Sequence, residues 1–237
     1  MVKVAVVTGA STGLGAGMVE AFLDDGVAVG ACARRTPAVG AVRGSVDVTD
    51  ADAVDAFCDT VARELGPIDL WVNNAGVLGP IEPAIDVDPG SFAENVRINV
   101  VGTFNGCRTY LRHRRAEGGG GVLVNISSGA ATTPIAAWSA YCSSKAGVDM
   151  LTQVLREEAS VTGLRIYAVA PGLVDTAMQE QIRATPAEVM PDVGRFHEAK
   201  EQERFNEPRW VARNLLAIAR GQQEVHWRWR VPAEEES

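Results

Sequence analysis

The segment Tyr141-Cys-Ser-Ser-Lys145 sets a phenol and an amine four positions apart. On a helix that spacing puts both side chains on one face. A free tyrosine has a pKa near 10, too high for an efficient base at neutral pH. A neighbouring ammonium favours the phenolate, so such a pair suits proton transfer to or from a reacting group. Tyr-x-x-x-Lys is common on surface helices, and the pair gains weight only from what accompanies it. Thr8-Gly9-Ala10-Ser11-Thr12-Gly13-Leu14-Gly15 follows an apolar run and opens a helical segment. Its glycines allow a sharp turn and close approach of the backbone to a ligand, and the free N–H groups of a helix start favour an anion. Ser11 and Thr12 add hydroxyl donors. Arg34 and Arg35, after a second apolar run, read either as a solvated turn or as planar, charge-assisted donors to a phosphate.

Positioning these groups takes alternating strands and helices, and the chain shows them. Residues 2–7, 27–33, 42–46, 68–73, 122–127 and 164–170 read as strands, and residues 224–231 alternate like a seventh. Helical character marks 13–25, 50–65, 89–115, 138–161 and 210–220; Val54, Phe57, Val61 and Leu65 give the apolar spacing of the second. Between Arg34 and the third strand, Pro37 and Gly40 reduce the connection to a loop. Apolar strands alternating with helices predict an α/β fold, a doubly wound parallel sheet of order 3-2-1-4-5-6-7 covered on both faces. Ligands in such sheets sit at the carboxyl ends of the strands.

The chain has 237 residues, 46% of them hydrophobic and 22% charged, enough for a sizeable core. A single Rossmann-type domain over 1–237 is expected: a core at 1–176, a lid at 177–207 with short helices anchored by Met178, Met190, Phe196 and Phe205, a last helix and strand at 208–231, and a frayed tail at 232–237. The net charge of −8 argues against nucleic acid as a partner. Cys32, Cys58, Cys107 and Cys142 have no metal-ligand spacing and read as reduced thiols near a core, with no metal. The first strand runs straight into the glycine loop, which leaves no room for a cleavable leader, and no apolar stretch nears the roughly 20 residues of a membrane span. A cytoplasmic protein without a membrane partner is expected.

The glycine spacing, Gly-x-x-x-Gly-x-Gly, differs from the general dinucleotide fingerprint. Together with Tyr-x-x-x-Lys it resembles the short-chain dehydrogenase/reductase family over residues 3–176. Ser128 lies 141 − 128 = 13 residues before Tyr141, the family's separation for its serine, and Asn99 matches the family's helical asparagine. The resemblance implies that Tyr141 exchanges a proton with a carbonyl or alcohol oxygen and that Ser128 polarises that carbonyl. Lys145 and Asn99 would refill Tyr141, the asparagine by holding a water chain, and Lys145 would also hold the nicotinamide ribose. In the family the residue ending the second strand selects the cofactor; here, 33 − 9 = 24 residues after Gly9, it is Ala33. The usual acid is absent, so the resemblance implies NADP(H) rather than NAD(H), with Arg34 and Arg35 toward its 2′-phosphate. It places Gly9, Ser11, Thr12, Gly13, Leu14 and Gly15 at the cofactor's phosphates, Asp47 and Val48 at adenine, and Asn74, Ala75 and Gly76 at the adenosine ribose, with Asn73 steadying the sheet. Pro171, Gly172, Val174 and Thr176 would hold the carboxamide.

A small carbonyl or alcohol substrate is implied, with Ser128, Trp138, Leu173 and Met178 lining its side. Arg195, His197, Lys200 and Arg204 read either as groups for an anionic substrate or as a solvated face. A homodimer or homotetramer is implied, through the long helices or the last helix and strand. The family's C-terminal glycine pair is missing, and His226-Trp227-Arg228-Trp229-Arg230 stands there instead. The alternative is a regulatory protein that senses NADP(H) on the same fold without turnover; such proteins commonly lose the tyrosine or the lysine, and this chain keeps both.

Overall fold

The computed structural model describes residues 1–159 and 163–234. Its strands are β1 (Val4–Thr8), β2 (Ala28–Ala33), β3 (Val42–Ser45), β4 (Leu70–Asn73), β5 (Val122–Ile126), β6 (Arg165–Ala170) and β7 (Arg228–Arg230). They form one parallel sheet in the order β3-β2-β1-β4-β5-β6-β7, as the alternating pattern predicts. The order turns back between β1 and β4, and a crevice opens there above the carboxyl ends of the strands.

Eight α-helices are described: α1 (Gly13–Asp24), α2 (Ala51–Leu65), α3 (Pro89–Val96), α4 (Gly102–Ala116), α5 (Ser139–Ala159), α6 (Ala177–Arg183), α7 (Gly194–Glu201) and α8 (Pro208–Ala219). Alternation along the strands sorts the core into two layers. Ala5, Val7, Leu70 and Val72 point to the face covered by Met18 and Phe22 of α1 and Val211 and Leu215 of α8. Val4, Val6, Trp71 and Leu123 point to the other, under Phe57 and Val61 of α2, Tyr110 of α4 and Leu155 of α5. Full burial of a side chain such as Phe22 contributes about 1.5–3 kcal/mol.

Two features differ from the sequence-based expectation. The helix expected over 89–115 is interrupted by one π turn, Arg97–Val101. Its register slips where the Asn99 side chain is drawn to the backbone of Val77 and Gly102 comes close to Val48, where a Cβ would lie 2.6 Å from Val48 Cγ2. The seventh strand is Arg228–Arg230 alone, not 224–231. Its first partner on β6 is Ala168. Earlier on β6, Arg165 instead sends its guanidinium to the Ile218 and Ala219 carbonyls (2.9 and 2.7 Å) at the end of α8. The helix expected to reach residue 161 is described to Ala159; residues 160–162, and 235–237 of the expected tail, lie outside the described residues. The 34–41 connection is a loop, as its Pro and Gly predict.

Cys32, Cys58, Cys107 and Cys142 are free, the first three buried, and burial pushes those three thiols up to about 12. Among the described residues no cluster of His, Cys, Asp or Glu could hold a metal ion, and no helix is long and apolar enough to cross a membrane.

Candidate active site

The carboxyl ends of the strands open into one cleft of about 1250 Å³. The cofactor and substrate residues expected from the sequence line it: Gly9 and Ser11 to Gly15 of the glycine loop, Arg34, Arg35, Asp47, Val48, Asn74 to Gly76, Ser128, Trp138, Tyr141, Lys145, Pro171 to Val174, Thr176 and Met178. Asn99 stands just behind, fully buried.

Tyr141, Lys145 and Asp149 lie on the sheet-facing side of α5, each buried. The Lys145 ammonium sits 5.7 Å from the Tyr141 ring centre and donates to the Ile126 carbonyl at 2.8 Å, which ties it to the end of β5. Ser128, two residues beyond β5, lies close enough to the Tyr141 phenol to pull its pKa down, and its hydroxyl accepts a hydrogen bond from Ala130 N–H at 3.2 Å. The π turn aims Asn99. Its Oδ1 accepts from Val77 N–H (2.8 Å), and its Nδ2 donates to Val77 O (2.9 Å), Asn95 Oδ1 and Ser144 Oγ (both 3.0 Å). Asn99 therefore braces the loop after β4 against α5. Gly76 is needed in that contact, because a Cβ there would come to 3.0 Å from Asn99 Oδ1 and 3.7 Å from Lys145 Nζ.

The electrostatics depart from the sequence-based expectation of a phenol lowered by its lysine. Burial pushes the Tyr141 phenol up to about 12, although the nearby Ser128 hydroxyl pulls the other way. Burial also pulls Lys145 down to about 8, with Asp149 opposing. In the protein alone, desolvation governs both side chains. The neutral, proton-donating phenol is the form this site favours.

On the far side of the cleft, Gly9 adopts φ +66°, and a Cβ there would lie 2.6 Å from Ala75 Cα, so only glycine lets the loop pass so close to β4's exit. Asn74 Nδ2 secures the loop by donating to the Thr8 and Gly9 carbonyls at 2.9 and 3.2 Å. Helices α2 and α3 are capped by the Asp50 and Asp88 side chains. By contrast, Thr12 makes no capping bond at α1, and there is no acid in its first turn. The helix start facing the cleft thus keeps its N–H groups for an anion. Arg34 and Arg35 are exposed at the end of β2. Asp47 accepts from Thr49 N–H and Oγ1 (2.9 and 2.8 Å), bonds that, with Arg97 and Arg34 nearby, hold its carboxyl below the usual range despite partial burial. Asn73 lies in a buried amide chain, donating to Asn125 Oδ1 at 2.9 Å, with Asn125 donating to Thr152 at 2.9 Å. That chain knits β4, β5 and α5, the steadying role expected of it.

The end of the cleft beside Trp138 is apolar. Trp138 meets Tyr141 edge-on, ring centres 5.6 Å apart, and packs against Phe196 of α7 at 5.7 Å. Leu78, Ile182, Met190 and Val193 complete this cluster, with Leu173 and Met178 at its edge. Ala137, at φ +68°, turns the chain to present Trp138 and is held by Glu82 N–H donating to its carbonyl at 3.0 Å. Lys200 is turned away to Asp175, and Arg204 pairs with Glu198. Arg195 stacks on Phe196 at the cleft's edge.

Two residues escaped the sequence reading. Asn95 is buried, and its Nδ2 donates to Leu78 O (3.1 Å) and Gly79 O (2.7 Å) while its Oδ1 receives Asn99. Its i, i+4 spacing from Asn99 was the available signal. Arg97 grips Glu94 with two nitrogens (2.6 and 2.8 Å) and reaches Thr49, closing the cleft's rim beside Asp47; nothing local in the sequence marks it.

The family model for short chain dehydrogenases matches residues 3–187. A benzil reductase ((S)-benzoin forming) of Bacillus cereus is 32% identical over 230 residues, 89% of this chain and 92% of that protein. The "Probable oxidoreductase EphD" of Mycobacterium tuberculosis is 37% identical over 182 residues, 72% of this chain but 31% of that protein; the chain spans about a third of that relative's length. The solved KRED1-Pglu enzyme superposes with a TM-score of 0.84 at 31% identity, covering 96% of this chain and 99% of that one.

Proposed function

The chain belongs to the short-chain dehydrogenase/reductase family, and from that premise we propose that it is an NADP(H)-dependent oxidoreductase interconverting a ketone or aldehyde and its alcohol. The observation that carries this reading is one buried group: the Tyr141 phenol, beside Ser128 on the same cleft and backed by Lys145, facing an apolar pocket. The opposite end of the same cleft holds a bare helix start, Ala33 where an acid would select NAD(H), and two arginines directly after it. These features suit NADP(H), which when bound supplies or accepts the hydride.

The chain's residues do the rest. Gly9 to Gly15 cradle the diphosphate, and Arg34 with Arg35 takes the 2′-phosphate. Asp47 and Val48 bound the adenine. Val174 and Thr176 orient the carboxamide. Ser128 donates to the substrate oxygen and stabilises the charge developing there. Tyr141 passes its proton to that oxygen, and Lys145 favours the phenolate left behind. Asn99 keeps the loop at Val77 and helix α5 in register so that Tyr141 can be refilled. Trp138, Leu173, Met178 and Phe196 suit a substrate with aromatic or apolar substituents, and the benzil reductase likeness points the same way. A regulator that only senses NADP(H) would have no need of Ser128 held against Tyr141. The test is consumption of NADPH by the purified protein with a panel of aromatic ketones, diketones and aldehydes; no turnover with any of them counts against the proposal.

The reductive kcat/KM is expected to fall on the alkaline side with a midpoint of about 8, where Lys145 of the unliganded protein loses its proton. Tyr141, at about 12, stays protonated throughout that window. A pH–rate profile flat through that midpoint contradicts the role given to Lys145.

Association is also part of the proposal. Val101 and Phe104, and Met150 and Val154 on α5, are apolar side chains left 42–59% exposed on the long helices, the kind of surface that pairs between copies. Light scattering is expected to give at least a dimer, shifted toward monomer in Phe104→Asp. A monomeric wild-type protein contradicts it.

A further inference from the structure

A pair of opposite charges, Asp149 buried and Arg228 27% exposed, lies beneath the site, and the roles above leave it unused. Asp149 follows Lys145 by one turn of α5, its side chain 8% exposed. One of its oxygens accepts from Ser127 Oγ, and the other accepts from Arg228 Nε at 2.6 Å. Arg228, the first residue of β7, continues past the carboxylate. Its Nη2 donates to the Ser128 carbonyl at 3.2 Å and to Thr132 Oγ1 at 3.3 Å. One guanidinium thus ties the last strand to the helix bearing Tyr141 and to both ends of the turn that begins at Ser128. A planar fork can serve these directions at once, and a lysine ammonium cannot. The contacts are charge-assisted and largely removed from water, so losing either partner leaves the other charge uncompensated.

We propose that Arg228 and Asp149 are positioning residues for the active-site serine, Arg228 gripping the Ser128 backbone while Asp149 grips Ser127, so that the Ser128 hydroxyl stays against Tyr141. The inference rests on the oxidoreductase reading of Ser128 and Tyr141. The same pair sets the field at Lys145. Around that ammonium lie Tyr141 of α5, the Ile126 carbonyl of β5 and, across Gly76, the neutral Asn99 side chain, with the Asp149 charge one turn on; Arg228 enters from β7 behind Asp149. Removing the Asp149 charge loosens the hold on the ammonium, whereas removing Arg228 bares the carboxylate and strengthens it. A role confined to stability predicts no such opposition.

The test compares Asp149→Asn, Arg228→Met and the milder Arg228→Lys. The readouts are kcat, KM for NADPH and for an aromatic ketone, melting temperature, and 13C NMR of lysine-labelled protein, whose lysines are Lys3, Lys145 and Lys200. Small misplacements of reacting groups cost up to about 100-fold in rate, so kcat is expected to fall about 10–100-fold in Arg228→Met and Asp149→Asn, with KM for NADPH within about twofold of wild type. Arg228→Lys should recover part of the loss. The Lys145 titration should move down in Asp149→Asn and up in Arg228→Met. Folded variants with wild-type kcat overturn the proposal. So does a loss of kcat that tracks lost NADPH binding with Lys145 unmoved. A wild-type protein without carbonyl turnover overturns the oxidoreductase reading and the serine role with it, while opposed Lys145 shifts would still show the pair acting on the site.

Discussion

Tyr141→Phe is expected to lower kcat for ketone reduction by about 10²–10⁴-fold, the usual contribution of a positioned general acid, while leaving NADPH affinity near wild type. The phenol oxygen is the only atom removed. The ring keeps its edge contact with Trp138, and the helix that carries it is buried by many other side chains. The site loses the proton donor and the neighbour of the Ser128 hydroxyl. Steady-state kinetics beside a fluorescence titration with NADPH separates the two effects. Undiminished turnover with folded protein would remove Tyr141 from the chemistry.

Arg34→Glu is expected to weaken NADPH binding by about 10–100-fold and to turn the preference toward NADH. Hydrogen bonds to charged groups contribute roughly 1.5–3 kcal/mol, and the new carboxylate would repel a 2′-phosphate while accepting from a ribose hydroxyl. The fold should be unaffected, because Arg34 is exposed and the Ser45 bond reaches only its backbone carbonyl. Dissociation constants for both cofactors in both proteins decide it. Equal NADPH affinity in the two proteins would assign the selection elsewhere on the rim.

What could be read from the sequence depended on how local its physical cause was. The first strand, the glycine loop and α1 are contiguous, and each needs only neighbouring residues to declare itself. Tyr141 and Lys145 share a face by helix geometry alone. The π turn left no trace, because apolar and polar positions continue through 97–101 while the cause, the backbone of Val77, comes from another part of the chain. Strand β7 alternates from Glu224, but its length is set by where β6 offers partners. Arg228 and Asp149 are 79 positions apart, and each alone reads as a solvated charge. The height of the Tyr141 pKa was equally hidden. It follows from burial, to which the packing of Trp138 and Phe196 contributes, and their contact joins two distant segments.

The most direct test follows a hydride. Purified protein is incubated with NADPH deuterated at the transferring position of the nicotinamide and with an aromatic diketone or ketone, and the product is examined by mass spectrometry and NMR. The account predicts an alcohol bearing one deuterium on the carbinol carbon, formed by wild type and nearly absent with Tyr141→Phe. NADPH that binds and is never consumed across the carbonyl panel would contradict it and favour a sensing protein on this fold.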